Sequence, residues 1–330
     1  MSLEKFDRLL DALRGSPRII VQAHDFPDHD AISSAFALAY LLRKKGFAPF
    51  ISYQGFIDRV SLRNLIDWLD IPITKSHQLD LKPDDKIIVV DGCIGEKNVT
   101  DLPGIEVGVI DHHQVKVPGF VAYKDVRPSY GSTATIMVEY YNYYELPIPK
   151  KIATALLVGL TFDTANFTRA VSPADIKALL QLQLSADIEM VNRICRNQIE
   201  YHELALFDSM LGSMKKVQNC AFASLPEGCP KNMLGVLGDF LLSVDELDIV
   251  VLSARSKEKT FISLRSECKR NNVADIIRRV LNDSGIGFGG GHAHMAGGVI
   301  TESVQLSQET DYVYNLFRPQ LELSPSCMSL

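Results

Sequence analysis

Residues 19–30, IIVQAHDFPDHD, run a short apolar, β-branched segment straight into His24, Asp28 and Asp30. The pattern recurs at 87–91, IIVVD, which ends on Asp91, and at 107–113, VGVIDHH, which ends on Asp111, His112 and His113. Runs of this kind read as buried parallel strands, and in open α/β sheets the functional groups gather beyond the carboxyl ends of the strands. Aspartate is a poor strand residue and costly to bury unpaired, so three coincident polar endings point to one shared site rather than three separate turns. A fourth acid, Asp163, closes the apolar run ALLVGLTFD at 155–163 and is expected to join them.

Working outward, strands near 18–23, 48–53, 86–90, 106–110 and 121–126 alternate with helices near 31–45 and 58–69. That order predicts a doubly wound, mostly parallel α/β sheet. A helix opens at Ser132 or Thr133, Pro147 and Pro149 break it, and further helices follow near 150–162, 173–185 and 188–213, the last read as one long connector. QNCAFASL (218–225), DIVVLSARS (248–256) and TFISLRSE (260–267) are strands of a second sheet, followed by a helix near 273–283 and a glycine loop. The expected division is a catalytic domain at 1–187, a helical connector at 188–215 and a smaller α+β domain at 216–330.

With 46% hydrophobic and 22% charged residues in 330, the chain is an ordinary globular protein, large enough for two domains. No stretch reads as a signal peptide or membrane span, and a cytoplasmic location is expected. Six scattered cysteines lack metal-site spacing and read as reduced thiols. The net charge of −6 argues against a protein that tracks long nucleic acid. Residues 251–279 nevertheless carry eight Lys or Arg against three acids, a place to grip an anionic ligand.

The first cluster, His24-x-x-x-Asp28-x-Asp30, has a structural alternative in which Asp28 and Asp30 serve only as a turn and a helix N-cap. Taken together, however, Asp28, Asp30, Asp91 and Asp163 with His24 and His112 supply six oxygen and imidazole ligands, enough for two divalent cations if one acid bridges. Four carboxylates balance two such ions and leave a nearly neutral centre able to accept a phosphate. Carboxylate with some imidazole suits Mn²⁺, with Mg²⁺, Co²⁺ or Fe²⁺ as alternatives.

The ordered set HDFPDHD, VVDG, DHH and GLTFDT, followed late in the chain by GGGHAHMAGG, resembles the DHH phosphoesterase superfamily with its DHH-associated C-terminal domain, nearest the stand-alone oligoribonuclease type that also dephosphorylates 3′-phosphoadenosine 5′-phosphate. The resemblance implies one metal held by His24, Asp28 and Asp91 and a second held by Asp30, Asp91, His112 and Asp163, with Asp91 as the bridge. It further implies that Asp111 orients a histidine and that His113 contacts the scissile phosphate. One departure concerns the first motif, where the family has glycine between the acids and this chain has His29. A histidine there tolerates the backbone angles, points to solvent or adds a contact, and the sequence leaves these open. After the third motif, Thr135 stands where the family commonly has an acid; SYGSTATIM is expected to cap its helix, with a contact at the edge of the metal site left open.

Gly285, Gly287 and Gly290 spell a dinucleotide-type fingerprint but follow a helix and lead into a strand, the reverse of what that motif requires. Backbone amides of Gly289, Gly290 and Gly291 are instead expected to cradle an anion, with His292 donating to a phosphate or stacking on a base. Arg265, on a predicted strand, is expected to grip a phosphate through its guanidinium fork, as the family's arginine does. The implied function is hydrolysis of short single-stranded oligonucleotides, linear dinucleotides such as pApA, or 3′-phosphoadenosine 5′-phosphate, without membrane or long-duplex partners. Homodimerisation is left open. An inorganic pyrophosphatase or exopolyphosphatase is the enzymatic rival, and a nucleotide-binding regulator the non-enzymatic one.

Overall fold

The computed structural model describes residues 3–96, 98–257, 259–301 and 309–322. It divides into two units, residues 1–198 and 199–330.

The first unit is built on six strands, β1 (Ile19–Ala23), β2 (Pro49–Tyr53), β3 (Ile73–Lys75), β4 (Lys86–Val90), β5 (Ile105–Asp111) and β6 (Tyr123–Val126). All neighbours are parallel, in the order β3-β2-β1-β4-β5-β6. The chain winds outward from β1 to β3, returns to the centre and winds outward again from β4 to β6. Strand order therefore reverses between β1 and β4, and the crevice beyond their carboxyl ends is where such sheets bind ligands. Because a right-handed crossover changes face when its direction reverses, the two halves cover opposite faces.

Alternation along the strands follows from this. Ile19, Val21, Ile88 and Val90 enter one core, and Ile20, Ile87 and Val89 enter the other. The first core is covered by helices: α1 (Leu3–Leu13), α2 (His29–Lys44), α3 (Val60–Leu69), α4 (Thr133–Tyr143), α5 (Lys150–Asp163), α6 (Pro173–Gln183) and α7 (Ile188–Arg196). The second is covered by residues of the connecting segments, including Leu79, Ile94, Leu102 and Val117. The helix α2 is buried except at Tyr40 and its last turn, with Ala31, Ala35 and Ala39 inaccessible, so α5 approaches it closely.

The long connector expected over 188–213 is interrupted. Helix α7 ends at Arg196 within the first unit, and α8 (Leu204–Ser213) belongs to the second. Asn197 leaves helical geometry at φ −88°, ψ 74°, and the Gln198 side chain donates to the Cys195 carbonyl, closing the end of α7.

The second unit has β7 (Lys215–Val217), β8 (Cys220–Leu225), α9 (Lys231–Leu242), β9 (Ile249–Ser256), β10 (Lys259–Ser266), α10 (Val273–Ile277), β11 (Gly287–Gly291), β12 (Met295–Ile300) and α11 (Glu309–Phe317). The sheet order is β11-β12-β10-β9-β8-β7, antiparallel except for β8 beside β9, which α9 connects. The glycine loop is therefore a correction: it is a hairpin at the sheet edge. Its glycines admit a helix, since a Cβ on Gly289 or Gly298 would meet Ile277 at 2.9 Å. The expected helix at 273–283 forms, changing to π geometry from Arg278. Cys93, Cys195, Cys220 and Cys229 are free thiols, whereas Cys268 is disulfide-bonded, contrary to the expectation of six reduced cysteines. Among the described residues no helix is long and apolar enough to cross a membrane.

Candidate metal centre

Each polar ending of the parallel sheet arrives at one place. His24 follows β1, Asp91 follows β4, Asp111 ends β5 with His112 and His113 directly after it, while Asp28 and Asp30 open α2 and Asp163 ends α5. Potential ligand atoms of His24, Asp28 and Asp91 lie within 4.8 Å of one another, and so do those of Asp30, Asp91, His112 and Asp163. Asp91 is common to both sets, and its two oxygens divide between them. Oδ2 lies 3.8 Å from His24 Nε2, and Oδ1 lies 3.6 Å from His112 Nε2. The residue is 1% exposed and adopts φ +58°, a left-handed conformation that aspartate tolerates better than most residues.

The imidazoles are oriented from behind. His24 Nδ1 is 2.9 Å from the Asp25 carbonyl and His112 Nδ1 is 3.1 Å from the Tyr130 carbonyl. A carbonyl only accepts, so each Nδ1 carries hydrogen and donates, which turns both Nε2 atoms towards the acids. His112 Nε2 is 3.1 Å from Asp163 Oδ2 without the alignment of a hydrogen bond. It is buried and unpartnered, as is Asp91 Oδ2. One such buried atom without a hydrogen bond in each ligand set fits a cation that would complete each set.

Asp28 performs two tasks. Its Oδ1 caps α2 by accepting from the amides of Asp30 and Ala31, at 3.0 and 3.1 Å. The N-cap alternative is therefore correct for one oxygen and leaves the other available. Asp30 is inaccessible and accepts from the amides of Thr133 and Ala134, at 2.6 and 2.9 Å. It thus sits at the positive end of α4, yet burial and the neighbouring Asp91 and Asp163 push its pKa well above the usual carboxylate range.

The electrostatics follow from burying acids together. Burial and the nearby Asp28 push the Asp163 carboxyl up to about 7. Burial opposes the charge on His112 and His24, yet the surrounding aspartates prevail and raise them to about 11 and about 10. Without a cation the cluster holds protons between its acids and imidazoles; a cation would replace them.

Asp111 is inaccessible, and its Oδ1 accepts from both the backbone amide and Nδ1 of His113, at 3.0 and 2.9 Å. Burial works against a charge on His113, but Asp111 and Asp91 raise its pKa. The side chain is 39% exposed, so this imidazole is oriented by an acid and still reachable.

His29 points neither to solvent nor towards the acids. It is inaccessible, stacked on Phe162 with ring centroids 3.6 Å apart, and its Nε2 is 3.0 Å from Ser61 Oγ. Burial, reinforced by Arg59, lowers it to about 3, so it is neutral.

Several contributors carried no sequence signal strong enough to assign them. Thr133 Oγ1 donates to Asp91 Oδ1 at 2.8 Å. Asp175, the third residue of α6, accepts from the Gly131 amide at 2.9 Å and from Thr135 Oγ1 at 2.5 Å. An acid from another helix thus pairs with Thr135 and steadies the start of α4. Gly159 is a further case: a Cβ there would lie 3.0 Å from both Asp30 Cα and Oδ1. Substituting Gly159→Ala should force α5 from α2, cost about 1–3 kcal/mol, and weaken Mn²⁺ binding because Asp163 is one turn further along. Urea denaturation and metal titration would measure both, and wild-type values in the two would refute the packing role.

In the second unit, Arg265 lies across α9, with Nε 2.9 Å from Asp239 Oδ1 and its side chain 14% exposed. A Cβ on Gly235 or Gly238 would meet its Nη2 or Cγ, so these glycines make room for it. The cradle expected from Gly289, Gly290 and Gly291 is not formed as a nest of amides. They belong to β11, and the Gly289 amide already donates to Asn282 Oδ1 at 2.7 Å. The His292 amide donates to the Met295 carbonyl at 2.7 Å, tightening the hairpin.

Similarity to known proteins agrees with this geometry. The chain is 29% identical to an uncharacterized protein of Methanocaldococcus jannaschii over 275 residues, 83% of this chain and 56% of that protein. It is 29% identical to a probable manganese-dependent inorganic pyrophosphatase of Streptococcus mutans over 180 residues, 50% of this chain and 55% of that one. The chain thus matches about half the length of these curated relatives. The crystal structure of an exopolyphosphatase-related protein from Bacteroides fragilis shares the fold, with a TM-score of 0.76 at 21% identity, covering 97% of this chain and 96% of that one. Residues 18–160 match the DHH family, N-terminal domain, and residues 217–316 match the DHHA1 domain, so the chain carries a DHH-family N-terminal domain followed by a DHHA1 domain.

Proposed function

We propose that the protein is a metal-dependent phosphoesterase that hydrolyses short oligonucleotides and linear dinucleotides such as pApA to nucleoside monophosphates, or 3′-phosphoadenosine 5′-phosphate to AMP. The observation that carries the phosphoesterase reading is Asp91, whose two oxygens face two separate ligand sets. Two divalent cations bound there, Mn²⁺ foremost, would supply Lewis-acid activation of water and neutralise charge at phosphorus. His24, Asp28 and Asp91 would hold one, and Asp30, Asp91, His112 and Asp163 the other.

The chain's own groups then have distinct tasks. Water oxygen adds to phosphorus as the P–O bond to the leaving oxygen breaks, and that oxygen requires a proton. His113, held by Asp111 and with its pKa raised, is the reachable group suited to donate it. Arg265, Gly290, Gly291 and His292 are assigned to gripping the substrate on the strength of the family resemblance.

A second reading, inorganic pyrophosphatase or exopolyphosphatase, is favoured by the 29% identity to the streptococcal protein. The two separate on a panel of pApA, a five-nucleotide RNA, 3′-phosphoadenosine 5′-phosphate, pyrophosphate and polyphosphate with Mn²⁺, using Asp91→Ala as control. Release of nucleoside monophosphate is the expected result. Turnover of pyrophosphate or polyphosphate alone would replace this reading with the second.

A further inference from the structure

The loop that carries His24 and Asp28 also carries Phe26, which lies 56% exposed. Its backbone is at φ +53°, a left-handed conformation that is a costly outlier for a bulky side chain. The Phe26 amide donates to the Gln54 carbonyl at 3.0 Å, tying this loop to the one that follows the adjacent strand β2. The Phe26 ring lies over Gly55, where a Cβ would come within 2.6 Å of it, and meets Phe56 edge-on at a centroid distance of 4.7 Å. Phe56 is itself 46% exposed. Three residues on, the exposed Arg59 begins α3 without a side-chain capping bond, and its charge reaches His29.

Two exposed aromatic rings in contact thus include one, Phe26, that lies between the candidate ligands His24 and Asp28 in the chain, and Arg59 follows the other by three residues. Phe26 is only two residues from each of two candidate ligands, within about 7 Å along an extended chain. Nothing in holding a cation or an inorganic phosphate requires an aromatic ring here, and a smaller residue would avoid the backbone cost. A ring exposed on one face is what a flat heterocycle needs for stacking, and base–aromatic stacking contributes about 1–3 kcal/mol per base. The exposed Arg59, three residues after Phe56, supplies a guanidinium suited to a phosphate attached to that base.

We propose that Phe26 and Phe56, with Arg59, form a nucleobase-stacking subsite of the first unit that takes a nucleoside monophosphate moiety of the substrate. This deepens the nucleotide reading above and rests on it. It is a specificity element, because it adds affinity for a nucleotide over the same phosphate without a base.

The test uses the 330-residue chain with Mn²⁺ and the variants Phe26→Asn, Phe26→Ala and Phe56→Ala. Asparagine tolerates the left-handed backbone, so Phe26→Asn removes the ring while keeping the loop. Binding of AMP and ribose 5-phosphate is compared in each. Wild type should prefer AMP roughly 5- to 150-fold, and the variants should bring that ratio towards one. With pApA, the variants should raise KM by a similar factor and change kcat far less. An unchanged AMP preference and KM in Phe26→Asn would overturn the subsite while leaving the nucleotide reading intact. Absence of pApA turnover in wild type would overturn that reading instead, and the AMP comparison would still decide the subsite. Equal wild-type binding of AMP and ribose 5-phosphate rejects it outright.

Discussion

Asp91→Asn is expected to lower phosphoester turnover by about three orders of magnitude or more while leaving the chain folded. The substitution keeps the shape of the side chain, and asparagine is at ease at the positive φ of this position. The Thr133 hydroxyl can still donate to the amide oxygen. What is lost is one negative charge at the point shared by both ligand sets. In the metal-free protein that loss should be harmless or stabilising, because burial and the nearby Asp28 already disfavour ionised Asp91. With Mn²⁺ the order should invert. Wild type should gain thermal stability as the cation binds the folded form, about 2.7 kcal/mol at a hundredfold excess over Kd, and the variant should gain little. Calorimetry of both proteins with and without Mn²⁺ reads this directly. Equal metal-induced stabilisation would remove Asp91 from its bridging position.

The second large effect is a coupling between metal and protons. At neutral pH in the metal-free protein, His24 and His112 carry protons, with pKa values raised to about 10 and about 11, and Asp163 is half-protonated near 7. A cation requires these ligands deprotonated, so its binding should release protons, more of them at pH 6 than at pH 8. Apparent affinity should therefore rise with pH. The stability of the metal-free form runs the other way. Raised histidine values contribute stability that is complete below about 6.5 and is lost as pH climbs through their folded values. The raised Asp163 costs stability progressively from about pH 4 to its folded value near 7. Both make the metal-free protein weaker in alkali. The Tm difference between Mn²⁺-loaded and chelator-treated protein should widen from pH 6 to pH 8.5. A constant or narrowing difference would show that protons and cation do not compete for these groups.

Much of this was legible because strand endings carry a strong pattern. Short, near-continuous apolar runs that stop abruptly at acids and histidines are enough to place the sheet, its parallel character and the position of His24, Asp91 and His112. The first motif was harder to read, since an aspartate before a helix is equally an N-cap, and Asp28 is in fact both. His29 was undecidable, because one residue offers no periodicity and its stacking on Phe162 depends on a helix more than a hundred positions away in the chain. The break after α7 was missed because no proline or glycine marks it. The glycine hairpin was misjudged because glycine is common in turns, whereas here it makes room for a helix packed across the strands.

The sequence by itself determined the α/β architecture and the inventory of groups at the site, since both depend on local periodicity and residue chemistry. Only the tertiary structure decided which groups support which: that α4 donates its first amides to Asp30, that Asp175 from α6 pairs with Thr135, that Gly159 lets α5 reach α2, and that Phe26 and Phe56 stand exposed together. These relations join residues distant in the chain through close approach and hydrogen-bond direction, and such information does not exist until the helices are packed.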